Sequence, residues 1–250
     1  MSGIDPVSRE KTELMKELSS LYTVRTATPN AVLRRMRLLE KKYAWRAVVG
    51  GTYALKRALD IAVSMGMLVA LTPLFAVIAL LIKFTDGGPI LFWQPRVGRW
   101  GREFQFPKFR SMVVNAEALK DQLAEHSQHS DSKTFKMKAD PRITRIGGIL
   151  RRFSLDELPQ FWCVLKGEMS LVGPRPPVPR EVALYTLADR RRLNVTPGLT
   201  CIWQVSGRSE IAFPQQVELD VEYIRSYGMA KDLKLLLLTV PAVFFGRGAY

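Results

Sequence analysis

A pair of neighbouring carboxylates in a basic stretch is the part of the sequence best suited to chemistry. Asp156 and Glu157 stand side by side, with an arginine shortly before them at Arg151 and another after them at Arg175. A divalent cation prefers oxygen ligands, and a phosphate group prefers cationic partners. These residue types therefore favour a site that binds a divalent cation and a phosphorylated substrate.

The same residues also match an ordinary helix start. Ser154 and Glu157 have the spacing of a capping box, in which the glutamate only satisfies a backbone N–H, and this structural role is the more common one. Pro159 argues for a later start, because proline is best tolerated at the first helical position. A later start would leave both carboxylates available for chemistry. The pattern alone leaves the two interpretations open.

The composition limits the kinds of partner. The chain has 250 residues and a net charge of +14, which predicts anionic partners such as nucleic acid, anionic lipid or phosphorylated ligands. No helix-turn-helix, zinc-finger or RNP-like pattern accompanies the charge, so we expect no nucleic-acid partner. Cys163 and Cys201 lack the spacing of metal ligands, and we expect two reduced thiols in a protein that faces the cytosol.

An apolar stretch from Ala58 to Ile82 indicates contact with a membrane. A straight helix of this span would reach roughly 37 Å, enough to cross a hydrocarbon core of about 30 Å. Thr72 and Pro73 interrupt the stretch near its middle, and the proline favours a kink. Basic residues flank both ends, which would place both ends in the cytoplasm. The residues alone leave a spanning helix and a re-entrant hairpin equally open.

Charged residues at the start of this stretch have helical spacing. Asp60 follows Lys56 by four positions and Arg57 by three, which predicts an ion pair near the membrane interface. The segment before it is basic and contains a weakly amphipathic helical run from about Ala31. Such a helix either lies on an anionic membrane surface or packs against its own domain.

The remaining patterns predict short strands and helices. Strands are expected at 90–94 and 104–106, joined as a hairpin by a glycine-containing turn. Ser111 is a candidate cap for a helix that continues to about residue 127. Further helices are expected at 183–193, 217–227 and 233–245, and the last is too short to span a bilayer.

Several motifs in their chain order resemble the bacterial monotopic phosphoglycosyl transferases, which are polyprenyl-phosphate sugar-1-phosphate transferases. The resemblance covers about residues 52–250. The matching segments are 56–60, the break at Thr72-Pro73, 88–94, 108–112, 154–160, 165–176, 203–208 and 248–250. Cys163 and Cys201 depart from it, because asparagine and glycine are expected at these positions in the family.

The resemblance implies an α/β fold, mostly helical with short strands, that forms a membrane-associated monotopic domain with a re-entrant helix–break–helix hairpin. Residues 1–51 would be a basic N-terminal extension, 52–84 the re-entrant membrane helix and 85–250 a cytosolic catalytic domain with interfacial helices. The protein would lie on the cytoplasmic face of the bacterial inner membrane. Anionic lipids are expected partners, and the apolar C-terminal run allows a homodimer.

The resemblance also implies a reaction and roles for residues. A sugar 1-phosphate would pass from a UDP-sugar to undecaprenyl phosphate with release of UMP, which initiates exopolysaccharide, capsule or O-antigen synthesis. Asp156 would be the nucleophile that forms a covalent phosphosugar intermediate, and Glu157, with Asp156, would hold Mg²⁺. The substrate- and phosphate-binding residues would be Lys108, Arg110, Arg151, Arg175, Pro176 and Arg208. The membrane hairpin would use Lys56, Arg57, Asp60, Thr72 and Pro73.

The residues named so far do not indicate which sugar is transferred. The ending Gly248-Ala249-Tyr250 resembles family members that transfer glucose or galactose 1-phosphate, so a hexose is expected. An N-acetylhexosamine 1-phosphate donor is one alternative. The other is a non-enzymatic, membrane-anchored protein that recruits partners through its basic face.

Overall fold

Helices and short strands alternate along the chain in the computed structural model, which describes residues 29–116, 118–119, 140–207 and 211–245. The helices are α1 (Pro29–Ala70), α2 (Thr72–Asp86), α3 (Arg145–Arg152), α4 (Phe161–Lys166), α5 (Pro179–Ala183), α6 (Ile202–Ser206), α7 (Phe213–Arg225) and α8 (Met229–Phe245). The strands are β1 (Leu91–Val97), β2 (Glu103–Phe109), β3 (Ser170–Val172) and β4 (Gly198–Thr200). Short 3-10 segments lie at Arg99–Gly101, Leu155–Gln160 and Asp189–Asn194. This content agrees with the predicted α/β class with a predominance of helix.

The chain divides into two units, Met1–Ala54 and Leu55–Tyr250. Of the first unit, the structure describes the helical residues from Pro29 onwards, and residues 36–43 of that helix are exposed. The rest of the predicted N-terminal extension lies outside the described residues. The second unit contains the sheets, the cores and the candidate site.

A bent helix pair occupies the apolar stretch. α1 ends at Ala70 and α2 begins at Thr72, where Pro73 occupies one of the first helical positions that proline tolerates. The segments Gly50–Ala70 and Thr72–Asp86 are bent by 58°. In the described part of the chain, no single helix is long and apolar enough to cross a membrane, whereas this bent pair meets both criteria together. The predicted break at Thr72-Pro73 is therefore confirmed.

The structure confirms the predicted hairpin, and the first core forms between this hairpin and α2. β1 pairs antiparallel with β2 and places Trp93 opposite Pro107. Buried side chains from α2, β2 and α3 pack together in this core: Ile78, Ile82, Phe109 and Leu150. Burial of these side chains stabilises the packing of α2 on the hairpin.

The second core lies around the parallel pair of β3 and β4. Its buried members are Phe104, Phe106, Cys163, Val164, Met169, Leu171, Val172, Tyr223 and Leu235. The two strands approach closely at Gly173 and Gly198, where a Cβ on Gly198 would lie 2.0 Å from the backbone nitrogen of Gly173. Glycine is required there because any side chain would push the two strands apart.

Two predicted helix boundaries are wrong. No helix starts at Ser111, because Ser111 Oγ accepts a hydrogen bond from Arg151 Nε and Met112 forms a β-bridge with Ile143. Helical residues begin at Ala116, and residues 120–127 of the predicted helix lie outside the described residues. The predicted helix at 183–193 is interrupted after α5 and resumes at Asp189. Thr186 and Asp189 exchange side-chain-to-backbone hydrogen bonds at that point, which starts a new helical segment. The predicted helices at 217–227 and 233–245 are confirmed as α7 and α8.

The predicted ion pair of Asp60 with Lys56 and Arg57 is also wrong. Lys56 Nζ lies 2.5 Å from Asp232 Oδ2, Arg57 donates to main-chain carbonyl groups of α4, and Asp60 accepts the N–H of Leu171. These partners are distant in sequence, whereas helical spacing can predict only local pairs.

Candidate active site

The two carboxylates lie on the 3-10 segment Leu155–Gln160, directly after a left-handed residue. Ser154 has φ +53° and ψ 23° and its side chain makes no capping hydrogen bond. The capping-box interpretation is therefore wrong, and Glu157 is left to interact elsewhere. The regular helix α4 begins only at Phe161, after Pro159, as the position of the proline indicated.

Glu157 is the centre of an ion cluster built from three distant parts of the chain. Lys108 Nζ, on β2, lies 2.7 Å from Oε1 of Glu157. Arg175 Nη2 lies 2.7 Å from the same oxygen, and Arg175 Nη1 lies 3.4 Å from Oε2. Burial by itself would raise the pKa of Glu157, but Arg175 and Lys108 outweigh it and hold this pKa well below its usual range. Glu157 is therefore an ionised carboxylate at neutral pH.

Asp156 is in a different environment from its neighbour. Its side chain is buried, and it accepts no hydrogen bond from any residue that the structure describes. Burial raises the pKa of Asp156, and the charge of Glu157 adds to this, whereas Lys108, Arg151 and Arg175 oppose it. Adjacent carboxylates with pKa values displaced in opposite directions are typical of a site in which the two groups have different roles.

The main chain around Arg175 is fixed by hydrogen bonds on both sides. Gly173 N donates to Thr200 O, and Gly198 N donates to Pro174 O at 2.9 Å. Val97 N donates to Pro177 O, also at 2.9 Å. Arg175 is thus held against β1 and β4 before any ligand binds, which reduces the entropy lost when its guanidinium engages an anion.

Arg96 is a member of this region that sequence reasoning missed. Its guanidinium donates to Pro176 O at 2.8 Å and to Gln94 Oε1 at 2.8 Å. Burial lowers the pKa of Arg96 to about 10, and the nearby charge of Arg175 contributes. The alternation of side chains along β1 places Gln94 and Arg96 on one face, and this periodicity was the signal available in the sequence.

The remaining predicted site residues fall into three groups. Lys108, Arg151 and Arg175 surround the carboxylate pair, since each acts electrostatically on Asp156, and Pro176 lies on the fixed segment beside them. Arg110 is buried in an ion pair with Asp86 at the end of α2, so its charge is already neutralised there. Arg208 lies outside the described residues.

The donor set fits a magnesium ion that shares its ligands with a substrate. Among the described residues, no group of three or more histidine, cysteine, aspartate or glutamate side chains could form a metal cage. Mg²⁺ is usually held by one or two carboxylates together with substrate phosphates rather than by a cage of protein ligands. Asp156 and Glu157 supply two such carboxylates, so phosphate oxygens would complete the coordination.

The arrangement combines a nucleophile with charge neutralisation. Among the described residues, no hydrogen-bond donor occupies the carboxylate of Asp156, so this group has the chemistry of an oxygen nucleophile, and the charges of Lys108, Arg151 and Arg175 act on it. Such a site is suited to phosphoryl transfer, in which positioning and electrostatic stabilisation account for most of the catalysis.

Comparison with known proteins places this site in a family. Residues 51–246 match the model of the family described as bacterial sugar transferase. The chain is 39% identical over 198 residues to the exopolysaccharide production protein ExoY of Sinorhizobium fredii, covering 78% of this chain and 88% of that protein.

Two longer relatives are similar over part of their length. The galactosyl transferase CpsE of Streptococcus agalactiae is 52% identical over 165 residues, which are 66% of this chain and 36% of that protein. The undecaprenyl-phosphate galactose phosphotransferase of Salmonella typhimurium is 44% identical over 200 residues, 78% of this chain and 42% of that protein. This chain thus spans less than half the length of these two relatives. The family match covers the bent helix pair, the ion cluster and the two cores described above, and the chain belongs to the bacterial sugar transferase family, whose members are transferases.

Proposed function

We propose that the protein transfers a sugar 1-phosphate from a UDP-sugar to undecaprenyl phosphate, with Asp156 as the nucleophile. The observation that carries this proposal is the buried Asp156 carboxylate beside Glu157, which Lys108 and Arg175 hold in an ion cluster. Family membership supports the reaction class, and the name of the Salmonella relative supports the lipid acceptor.

The first step forms a covalent intermediate. A carboxylate oxygen of Asp156 attacks the phosphorus atom that carries the sugar, and the bond from this phosphorus to the oxygen that bridges the two phosphates breaks. UMP leaves with that oxygen. The product on the enzyme is an acyl phosphate that joins Asp156 to the sugar phosphate. An ionised carboxylate needs no general base for this attack.

The second step transfers the sugar phosphate to the lipid. An oxygen of undecaprenyl phosphate attacks the same phosphorus, and the bond between phosphorus and Asp156 breaks. The carboxylate of Asp156 is regenerated, and the lipid carries a diphosphate-linked sugar. Lys108, Arg151 and Arg175 neutralise the negative charge of the phosphates in both steps.

Mg²⁺ is proposed as the cofactor, held by Asp156 and Glu157. It would supply Lewis-acid neutralisation of charge on the phosphate oxygens. The protein supplies the orientation, since the ion pairs from Lys108 and Arg175 fix the Glu157 side chain from two directions.

The proposed donor is a UDP-hexose, either galactose or glucose. Two of the relatives described above carry galactose or galactosyl in their names. An N-acetylhexosamine donor remains the alternative, and a panel of donors separates the two.

We further propose that the bent helix pair is a re-entrant hairpin whose two ends lie on the cytoplasmic side of the inner membrane. Its large apolar side chains are exposed on both arms, including Val69 at 71% and Phe84 at 84%. Exposed apolar side chains in this number are stable in a lipid phase, where their transfer from water is favourable. A lipid acceptor also requires the site to lie at a membrane surface, and basic residues there would attract anionic lipids.

Cysteine labelling in intact cells tests this topology. Leu55 and Thr85 are exposed near the two ends of the pair, and the native Cys163 and Cys201 are buried, so they leave a low background. A membrane-impermeant reagent should fail to label Leu55→Cys and Thr85→Cys until the inner membrane is opened. Labelling of one site alone from the outside would contradict the re-entrant arrangement.

The central experiment identifies the released nucleotide. Purified protein is incubated with undecaprenyl phosphate, Mg²⁺ and a panel of UDP-sugars, and the nucleotide is separated by chromatography. UMP is expected, with the highest rate for a UDP-hexose. UDP would show transfer of the sugar alone and contradict the role of Asp156. Release of neither product would favour the non-enzymatic recruitment protein.

A further inference from the structure

We infer that Lys56, Arg57 and Asp60 of α1 are positioning residues for the active site: they bind the two chain segments that carry the catalytic carboxylates and Arg175. The kinetic part of this inference rests on the proposed function. The structural part rests on contacts between parts of the chain more than 100 residues apart in sequence, with separations of 107, 111 and 176.

Arg57 holds the segment that carries the carboxylates. Its guanidinium donates to Val164 O at 2.5 Å and to Leu165 O at 2.6 Å, near the end of α4. The last carbonyl groups of a helix have no partners within the helix, and a cation there satisfies them and interacts favourably with the helix dipole. α4 follows the 3-10 segment with Asp156 and Glu157 without an intervening residue. Arg57 therefore fixes the far end of the unit that presents both carboxylates.

Asp60 holds the strand that leads to Arg175. β3 pairs with β4 alone in its two-stranded sheet. Asp60 Oδ1 accepts the N–H of Leu171, the central residue of β3, at 3.0 Å. The Asp60 side chain thus takes the place that a further strand would occupy. Without this acceptor the N–H of Leu171 would be buried and unsatisfied, which is unfavourable, so the contact holds β3 in place.

Lys56 binds the end of the same strand through a buried network. Its ammonium lies 2.5 Å from Asp232 Oδ2 and donates to Val172 O at 3.2 Å. Tyr223 Oη lies 2.7 Å from Asp232 Oδ1 and 3.1 Å from Val172 O. Asp232 therefore balances the charge of Lys56, and the Lys56 ammonium donates a further hydrogen bond to the main chain of β3.

The path from this network to the catalytic site is short. Val172 is followed by Gly173, Pro174 and Arg175, and the close contact of Gly173 with Gly198 leaves this segment little freedom. A displacement of β3 is therefore passed on to the guanidinium of Arg175 and from there to Glu157. A misplacement of about 1 Å in a catalytic group can reduce the rate by about 100-fold.

A double substitution separates positioning from simple stabilisation. Lys56→Met alone leaves the charge of Asp232 buried without its partner, and this variant is expected to unfold more easily. Lys56→Met with Asp232→Asn removes both charges and keeps an acceptor for Tyr223, so folding is restored while the hydrogen bond that Lys56 donates to Val172 O is still absent. Lys83→Met is the matched control, because Lys83 lies on the other arm, is exposed, and donates to Gly87 O near its own helix end.

The test measures kcat and KM of UMP release together with hydrogen–deuterium exchange of peptides within 157–177, on full-length protein in lipid nanodiscs with Mg²⁺. The double variant should melt close to the wild type, lose about 10- to 100-fold in kcat and exchange faster in the peptides after residue 170. Lys56→Arg, which keeps the charge, should recover part of the kcat, and Lys83→Met should match the wild type in all measurements.

Two outcomes would overturn the inference. A double variant with wild-type kcat and wild-type exchange would show that Lys56 serves stability alone. An equal loss of kcat in Lys83→Met would show that the flanking charge matters rather than the contact with β3. The exchange measurement also separates this inference from the proposed function: absence of UMP release by the wild type refutes the function, whereas unchanged exchange in the double variant refutes the positioning role.

Discussion

Lys108 and Arg175 direct their positive charges at one and the same oxygen, Oε1 of Glu157, each at 2.7 Å. Two cations this close repel each other, and the attraction of both to an anion between them outweighs this repulsion. Glu157 therefore has a structural function in addition to any role toward a metal ion, because it holds together two cations that are proposed to bind phosphate.

Replacement of Glu157 by glutamine should reduce both stability and activity. The two cations then face each other with a neutral amide between them, and the side chain of Glu157 is about three-quarters buried. We expect a loss of about 2 kcal/mol in the free energy of unfolding, less than for a fully buried pair. Denaturant unfolding measures this change. Glu168→Gln is the control, because its partner Lys166 is more exposed and the pair should contribute less than about 1 kcal/mol. Equal effects of the two substitutions would contradict the prediction.

Replacement of Asp156 by asparagine should separate activity from stability. The amide is a poor nucleophile, so UMP release should become undetectable. Because burial raises the pKa of Asp156, the charged carboxylate opposes folding at neutral pH, and its removal should leave the melting temperature unchanged or higher. Activity assays and thermal unfolding on the same preparation test this. An asparagine variant that turns over would exclude Asp156 as the nucleophile.

Two neighbouring glycines in α3 should respond in opposite ways to alanine. A Cβ on Gly147 would lie 1.9 Å from Ser111 O, whereas a Cβ on Gly148 meets no atom within 4 Å. Gly147→Ala should displace α3 from Ser111 and with it Arg151, whose Nε donates to Ser111 Oγ. We expect reduced stability and a reduced rate. Gly148→Ala should raise the free energy of unfolding by up to about 1 kcal/mol, since alanine favours helix. A destabilised Gly148→Ala variant would contradict this account.

Asp220 should make stability dependent on pH in the acidic range. It is buried beside Arg192, with a nitrogen–oxygen distance of 2.5 Å, and burial raises its pKa to about 6 despite the arginine. The folded protein therefore retains a proton that the unfolded chain loses near pH 4, so stability falls as pH rises from about 4 to about 6 and then becomes constant. Across this pH range the titration of Asp220 lowers the free energy of unfolding by roughly 2 to 3 kcal/mol.

Unfolding measured between pH 4 and 7 tests this assignment by comparing the wild type with Asp220→Asn. The variant carries a neutral side chain at every pH, as the protonated aspartate does, so it is expected to equal or exceed the wild type in stability at neutral pH. The difference in the free energy of unfolding between wild type and variant should therefore change with pH only in the range where Asp220 titrates. Parallel curves for the two proteins would refute it.

Local signals in the sequence predicted those parts of the fold that depend on neighbouring residues. Pro73 cannot continue the helix that precedes it, so this one residue predicted the break in the apolar stretch. The turn residues between β1 and β2 predicted the hairpin. The environment of Asp156 was harder to predict, because Ser154 has a left-handed conformation that the local sequence does not require. The capping pattern therefore indicated a helix start at the place where the chain instead turns.

The convergence of Lys108, Glu157 and Arg175 had no local signal. Lys108 and Glu157 are 49 positions apart, and Glu157 and Arg175 are 18 positions apart, so neither pair leaves a helical or strand periodicity. The resemblance to known transferases supplied these residues as a set, but the sequence did not show that two of them share a single oxygen. The same limit explains why Lys56 was assigned to Asp60 rather than to Asp232.

The contact between Lys56 and Asp232 has a consequence for biosynthesis. The two residues are separated by 176 positions, so α1 leaves the ribosome long before its partner has been made. Asp156, Glu157 and Arg175 are also synthesised before Asp232. The nascent chain therefore contains all three residues while the strand leading to Arg175 still lacks its contact with the Lys56–Asp232 pair, and the site reaches its final geometry only after Asp232 has been made.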